Sequence, residues 1–156
     1  MSSQVNKITD SWNFSNCFMY SIHQLHASVQ KHLEQTLSKK KTISFSQFMV
    51  LIGFNCSNST PLSQTSIAKY SQLTEATISR HITTLVSLGY LSKKENDENR
   101  RKYHVSITKK GITAFRRAEK IINDELVTIF ESITEKDKKN ITKNFNNVLA
   151  RLISKK

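Results

Sequence analysis

The segment from Thr74 to Gly89 combines short hydroxyl side chains with a single arginine in a helical pattern. Its apolar residues Ile78, Ile82 and Leu85 recur at steps of three or four, which places them on one helix face. Serine and threonine hydroxyls can bond phosphates or base edges, and arginine can donate two parallel hydrogen bonds to guanine. Short side chains also let a helix enter a major groove about 12 Å wide. The candidate DNA contacts on the opposite face are Thr74, Glu75, Thr77, Ser79, Arg80, Thr83 and Thr84. The alternative is an ordinary surface helix.

A basic hairpin is predicted directly after this helix. Tyr90–Lys94 and Lys102–Ile107 have the composition of strands, and in the second of them apolar and polar residues alternate. The wholly polar segment Glu95–Arg101 between them is predicted to be a loop. A flexible loop that carries arginine fits a minor groove, so the candidate contacts there are Arg100, Arg101 and Lys102. The alternative is a solvated run of charge, which is what most such runs are.

Several helices precede this region. Apolar residues at steps of three or four from Phe14 to Leu37 predict a first helix of about 25 residues. Ser44 is a suitable cap for a second helix, and Asn55–Pro61 has the composition of a loop. A third, short helix is predicted after Ser63, which is a further candidate DNA contact.

The remaining helix boundaries are also marked by local signals. Thr74 is a suitable N-cap, and Gly89 stands where a left-handed helix end is expected. Thr108 is expected to cap a long helix, and Thr134 a last helix. That last helix is predicted to bury Ile141, Phe145, Val148, Leu149 and Leu152.

The order of elements is typical of one fold class: mostly α with a small β-hairpin wing. Two helices joined by a tight turn, with a hairpin after the second, form a winged helix-turn-helix. The predicted divisions are a flexible N-terminus at 1–11, a helical dimerisation region at 12–42 and 109–154, and the DNA-binding region at 43–108. The first and last helices carry more apolar surface than a domain of this size easily buries alone, which favours a homodimer. The alternative is that they pack on each other within one chain.

The charge balance limits the function classes. With 24 Lys and Arg against 12 Asp and Glu, the formal net charge is +12, which attracts polyanions. No phosphate-binding glycine loop, nucleophile elbow or HExxH motif occurs, so an enzyme is not expected, and no cofactor is predicted. RNA binding is disfavoured because the outer helix face has no aromatic stacking surface. A basic protein that coats DNA without sequence choice is the main alternative. No membrane-spanning run or signal peptide is visible, so a cytoplasmic location is expected.

Four stretches of the sequence carry a family resemblance: Phe45–Leu51, Leu62–Ala68, Thr74–Leu91 and Asn96–Gly111. They resemble the MarR family of winged helix-turn-helix transcriptional regulators. The wing stretch is the most specific of them, although Asn99 stands where the family often has an acidic residue before the wing arginine. The resemblance implies a homodimer that acts on a palindromic DNA operator, most often as a repressor, and a small-molecule effector or oxidant that releases it. It also implies an effector pocket between the dimerisation helices and the winged region.

Three further residues could carry chemistry. Cys17 resembles the reactive cysteine of the family's organic-hydroperoxide-sensing branch, but the tyrosines that hold the thiolate there have no clear counterpart, so a small buried apolar cysteine is favoured. His23 and His26 share a helix face at a spacing that metal ligands can have. With no carboxylate close by in sequence, they are predicted to be ordinary polar residues, and no metal site is expected.

Overall fold

A computed structural model describes residues 18–56, 61–71, 73–96 and 99–154 of the chain. The described part is mostly helical with a small antiparallel sheet, which confirms the predicted fold class. The described residues up to Ile121 form one compact unit and those from Ile122 onward a second. None of the described helices has the length and apolar character needed to cross a bilayer. The elements are α1 Phe18–Lys39, α2 Phe45–Cys56, β1 Leu62–Ser63, α3 Gln64–Ser71, α4 Glu75–Ser87, β2 Leu91–Asn96, β3 Asn99–Ile107, α5 Lys109–Ile129 and α6 Glu135–Ile153.

The helix starts lie where the capping residues predicted them. Ser44 Oγ accepts the Gln47 amide at 3.1 Å, and Gln47 Oε1 accepts the Ser44 amide at 3.0 Å, which is a reciprocal capping box for α2. Thr134 Oγ1 accepts the Asp137 amide at 3.2 Å and donates to its carboxylate at 2.6 Å at the start of α6. These bonds satisfy amides that have no partner inside the helix.

The core of the first unit gathers the apolar faces of its helices around the sheet. Phe48 of α2 stacks on Phe115 of α5, with ring centroids 5.0 Å apart. Gly53 of α2 lies beside Ile67 of α3, which keeps the two helices close. The fully or almost fully buried residues include Leu33, Leu37, Val50, Leu51, Ile67, Ile78, Leu85, Leu91 and Val105.

The sheet contains a strand that the sequence did not predict. The strand order is β1–β3–β2, and both neighbours of β3 are antiparallel to it. β1 is only Leu62–Ser63, and Leu62 pairs with Val105. Both residues of that pair are buried, so this short strand fixes the start of α3 against the wing.

Two predicted loops are shorter in the structure. Helix α2 continues through Asn55 and Cys56, which were expected to be loop, while residues 57–60 lie outside the described part. The predicted hairpin loop Glu95–Arg101 is also mostly strand, because β2 extends to Asn96 and β3 begins at Asn99. Backbone pairing along the two strands outweighs the polar composition that predicted a loop.

The prediction that α6 buries its apolar stripe is wrong for the single chain. Ile141, Phe145, Val148, Leu149 and Leu152 are all exposed, with 41–62% of their surface accessible, and the helix has no buried residue. The helical spacing of these apolar residues was correctly identified. Spacing alone does not determine whether the same chain or a second molecule buries them.

We expect Gly111→Ala to destabilise the fold. A Cβ at this position of α5 would lie 2.1 Å from the carbonyl oxygen of Tyr90, a backbone atom that cannot rotate away. The cost of such overpacking, about 1–3 kcal/mol, exceeds the roughly 1 kcal/mol that alanine gains over glycine in a helix. Urea unfolding at a fixed protein concentration measures the change in free energy.

Gly53→Ala is the matched control for this substitution. The nearest atoms to its added Cβ are 3.6 Å away, which is ordinary van der Waals contact. We therefore expect it to leave stability unchanged or to raise it by up to about 1 kcal/mol. Equal effects of the two substitutions would contradict the close approach of α5 to Tyr90.

Candidate DNA-binding surface

Burial fixes the rotation of α4 about its own axis. Ile78, Ile82 and Leu85 are at most 3% exposed, so this stripe faces the core of the first unit. Thr74 is the N-cap, with its hydroxyl oxygen accepting the Thr77 amide at 3.3 Å. The stripe and the cap together determine which side chains of α4 point outward.

The outward face of α4 carries the residues that the sequence singled out. Thr74, Glu75, Ser79, Arg80, Thr83 and Thr84 are exposed, and Thr77 is half-buried. Thr83 Oγ1 donates to the Ser79 carbonyl at 3.0 Å and Thr84 Oγ1 to the Arg80 carbonyl at 3.1 Å. Because these two hydroxyl protons are used within the helix, the two hydroxyl oxygens are left to accept bonds, while the Arg80 guanidinium is a donor.

Ser63 has a structural role in this fold, as the N-cap of α3. Its Oγ accepts the Ser66 amide at 3.1 Å and lies 2.8 Å from the Ser66 hydroxyl, so it caps α3. It also belongs to β1, where it pairs with His104. The residue is half-buried, and its predicted contact with DNA stays a prediction.

The wing has an irregular register at its basic residues. Glu95 pairs with Tyr103 but Asn96 pairs with Asn99, so Arg100, Arg101 and Lys102 lie in the irregular part of β3. The side chains of these three residues lie outside the described part, so their predicted DNA contacts stay predictions.

Two further lysines are described on the neighbouring strand. Lys93 and Lys94 of β2 are exposed. The Lys93 ammonium lies 3.5 Å from the centroid of the Tyr103 ring, a cation–π contact between adjacent strands. Strand β2 therefore adds two exposed positive charges to the wing.

The carboxyl-terminal end of α4 is tied to the start of α5. Gly89 has a φ of +72°, its amide donates to the Val86 carbonyl at 2.9 Å, and the Tyr90 amide donates to the Leu85 carbonyl at 2.8 Å. This is a Schellman ending. The carbonyls of Leu88, Gly89 and Tyr90 then accept hydrogen bonds from Lys110 of α5 and from its cap, Thr108.

We call this second set of bonds the carboxyl-terminal clamp. Lys110 Nζ donates to the Leu88 carbonyl at 2.9 Å, and Thr108 Oγ1 donates to the Gly89 carbonyl at 2.8 Å. The Thr108 amide donates to the Tyr90 carbonyl at 3.0 Å. Sequence reasoning identified Thr108 as a cap but missed the clamp, because the two groups of residues are about twenty positions apart.

One side of α4, at His81, borders a cleft that is also lined by α1 and the start of α2. Glu34 of α1 accepts the Phe45 amide at 2.8 Å, and His81 of α4 borders the same shallow cleft of about 500 Å³. Burial lowers the pKa of His81 below its usual 6.5; the Arg80 charge lowers it further, and Glu34 partly opposes this. Gln30 and Ser44 also line the cleft.

The remaining candidates of the sequence do not form a second site in the described part. Cys17 lies outside the described residues, and its predicted role stays open to test. His23 and His26 are exposed on α1. Among the described residues, no group of three or more His, Cys, Asp or Glu side chains is arranged to hold a metal ion.

Comparison with known families identifies the winged region. The model of the MarR family matches residues 43–103, which run from the residue before Ser44 to Tyr103 in the wing. No curated protein matches the chain in a sequence search.

Solved structures share the fold over most of the chain. A MarR-family transcriptional regulator from Silicibacter pomeroyi has a TM-score of 0.72 and 15% identity, covering 89% of this chain and 92% of its own. The MepR–DNA complex from Staphylococcus aureus has a TM-score of 0.74 and 18% identity, covering 86% and 98%. BpsR from Bordetella bronchiseptica, whose DNA binding is regulated by 6-hydroxynicotinic acid, has a TM-score of 0.69 and 15% identity, covering 82% and 98%. At these identities the likeness shows the fold.

The lowered pKa of His81 predicts a pH dependence of stability. Because the folded chain favours neutral His81, its contribution to stability is complete above the unfolded pKa of about 6.5 and is lost as the pH falls below that value. We expect His81→Gln to flatten the decrease in melting temperature between pH 7.5 and 5.5. The other four histidines remain in both proteins, so the difference between the two curves isolates His81. Parallel curves would contradict this assignment.

Proposed function

We propose that this chain, whose residues 43–103 match the model of the MarR family, is a sequence-specific DNA-binding transcriptional regulator that acts as a homodimer, most simply as a repressor. In this proposal α4 is the recognition helix and enters the major groove. The residues proposed to contact DNA are Ser63, Thr74, Glu75, Thr77, Ser79, Arg80, Thr83 and Thr84, together with Arg100, Arg101 and Lys102 of the wing.

The observation that carries the proposal is the division of α4 into two faces. Its apolar stripe is buried, and its other side exposes hydroxyls and one guanidinium. Only Glu75 adds an acid to this side, and an acid in the first turn of a helix is compatible with the helix dipole. Ser79 and Arg80 stand at the middle of the face, where a helix in a groove approaches base edges.

Charge supports a nucleic acid as the partner. The net charge of +12 gives a long-range attraction to a phosphate backbone. A solved structure of the same fold, MepR, is a DNA complex. A protein that coats DNA non-specifically would share the charge, but it would not require the exposed hydroxyls and single guanidinium of α4, side chains that can bond base edges.

The exposed apolar surface supports the proposed two-fold symmetry. Along α6 a stripe from Ile141 to Ile153 is exposed, and on α1 the residues Phe18, Met19 and Leu25 are exposed. A second copy of the chain is the proposed cover, because a dimer also places two recognition helices on the two halves of a palindrome.

Release from DNA is proposed to follow effector binding or oxidation. The cleft beside His81 adjoins the recognition helix, so a small molecule bound there would contact α1, α2 and α4 together. A ligand with different affinities for the DNA-competent and incompetent forms would shift their populations. For release by oxidation the candidate thiol is Cys17, although its sequence context favours a small buried apolar side chain.

We expect Arg80→Ala to weaken binding to a selected operator by about 1–3 kcal/mol and to relax base preference at one position in each half-site, because arginine reads guanine through two bonds. The operator is first selected from a random DNA pool, and titrations then give the affinities. Arg116→Ala removes the same charge from an exposed position of α5 and is the matched control. Enrichment of no palindrome, or equal losses in the two variants, would favour non-specific coating.

We expect the chain to sediment as a dimer and Val148→Asp to shift it toward monomer by at least tenfold in dissociation constant. A carboxylate in the apolar stripe of α6 would be buried in the dimer, and symmetry places it there twice. Asn147→Asp adds the same group one position away, on the polar side of the helix, and is expected to leave the dimer intact. A monomeric wild-type chain would contradict the proposed assembly.

A further inference from the structure

We infer that Lys110 is a positioning residue for DNA binding: its ammonium holds the carboxyl-terminal end of the recognition helix and does not contact a phosphate. The inference rests on the proposed function of α4. It separates Lys110, which is itself exposed, from exposed cations of the wing such as Lys93 and Lys94.

The geometry gives the Lys110 side chain a defined partner within the protein. Its Nζ lies 2.9 Å from the Leu88 carbonyl oxygen and 5.2 Å from the centroid of the Tyr90 ring. Leu88 is the C-cap of α4, so its carbonyl stands at the negative end of the helix dipole. The charge of Lys110 is therefore bound by a hydrogen bond, a dipole and an aromatic face.

The other bonds of the clamp tie the start of α5 to the residues that end α4. Thr108 Oγ1 accepts the Gly111 amide at 3.0 Å, capping α5, while it donates to the Gly89 carbonyl. Since a Cβ on Gly111 would clash with the Tyr90 carbonyl, α5 starts in close contact with the residues that end α4. The end of one helix and the start of the next form a single unit.

The clamp supplies a constraint that the buried stripe does not. Ile78, Ile82 and Leu85 fix the rotation of α4 through apolar contacts, whose driving force is non-directional. Hydrogen bonds at the helix end are directional and define the axial position. Reading base edges requires side chains held to within about 0.5 Å, so a small axial shift is enough to weaken recognition.

The test compares two neutral variants of similar shape, Lys110→Met and Lys94→Met. Affinity for the selected operator is measured from low to moderate salt, and circular dichroism confirms that each variant is folded at the assay temperature. Each phosphate contact contributes about −0.9 to the slope of log affinity against log salt. We expect Lys110→Met to bind about tenfold more weakly with an unchanged slope, because a charge-assisted hydrogen bond within the protein is lost.

Lys94→Met and Lys110→Arg complete the comparison. Lys94→Met is expected to reduce the steepness of the slope by about one unit if Lys94 contacts a phosphate, which calibrates the measurement. In Lys110→Arg a guanidinium can still donate to the Leu88 carbonyl, so most of the affinity should return. Amide hydrogen exchange at Gly89 and Tyr90 should be faster in Lys110→Met and near normal in Lys110→Arg.

The outcomes distinguish this inference from the proposed function. A wild-type chain that binds no DNA in the selection contradicts the proposed function itself. A wild-type chain that binds, together with a Lys110→Met slope shallower by one unit, makes Lys110 a phosphate contact and overturns the inference. Unchanged affinity in a folded Lys110→Met variant overturns it equally.

Discussion

The burial of three side chains on α4 is the constraint on which the candidate site depends. Removing Ile78, Ile82 and Leu85 from water contributes about 1.5–3 kcal/mol each, a total comparable with the whole stability of a small domain. Rotation that exposed this stripe would therefore unfold the unit. The same packing that stabilises the fold also turns Ser79 and Arg80 outward, so no separate interaction is needed to present them to a partner.

Features that depend on near neighbours in the chain could be predicted from the sequence. A hydroxyl three residues before a free amide predicts a cap, and Ser44, Thr74 and Thr134 each accept that amide. The left-handed helix end at Gly89 follows from the absence of a Cβ. The polar face of α4 was predictable for the same reason, because its partners and its periodicity lie within the helix itself.

Features that depend on distant parts of the chain could not be predicted. Leu62–Ser63 is too short to identify as a strand, and it forms only because β3 offers a partner more than forty residues later. The clamp joins Lys110 to Leu88 through a contact that no local pattern marks. The stripe of α6 has helical spacing whether it is buried or exposed, so sequence predicted burial where the single chain leaves it open.

A DNA-cleaving reagent attached to α4 tests the central claim most directly. An iron chelate is tethered at Ser79→Cys in a chain carrying Cys17→Ser and Cys56→Ser, and a second protein carries it at Asn147→Cys on α6. If α4 enters the major groove, the first protein cuts the selected operator at two clusters about one helical turn apart, symmetric about its centre. The α6 tether should give no such pair. Binding without localised cuts from Ser79→Cys would contradict the account.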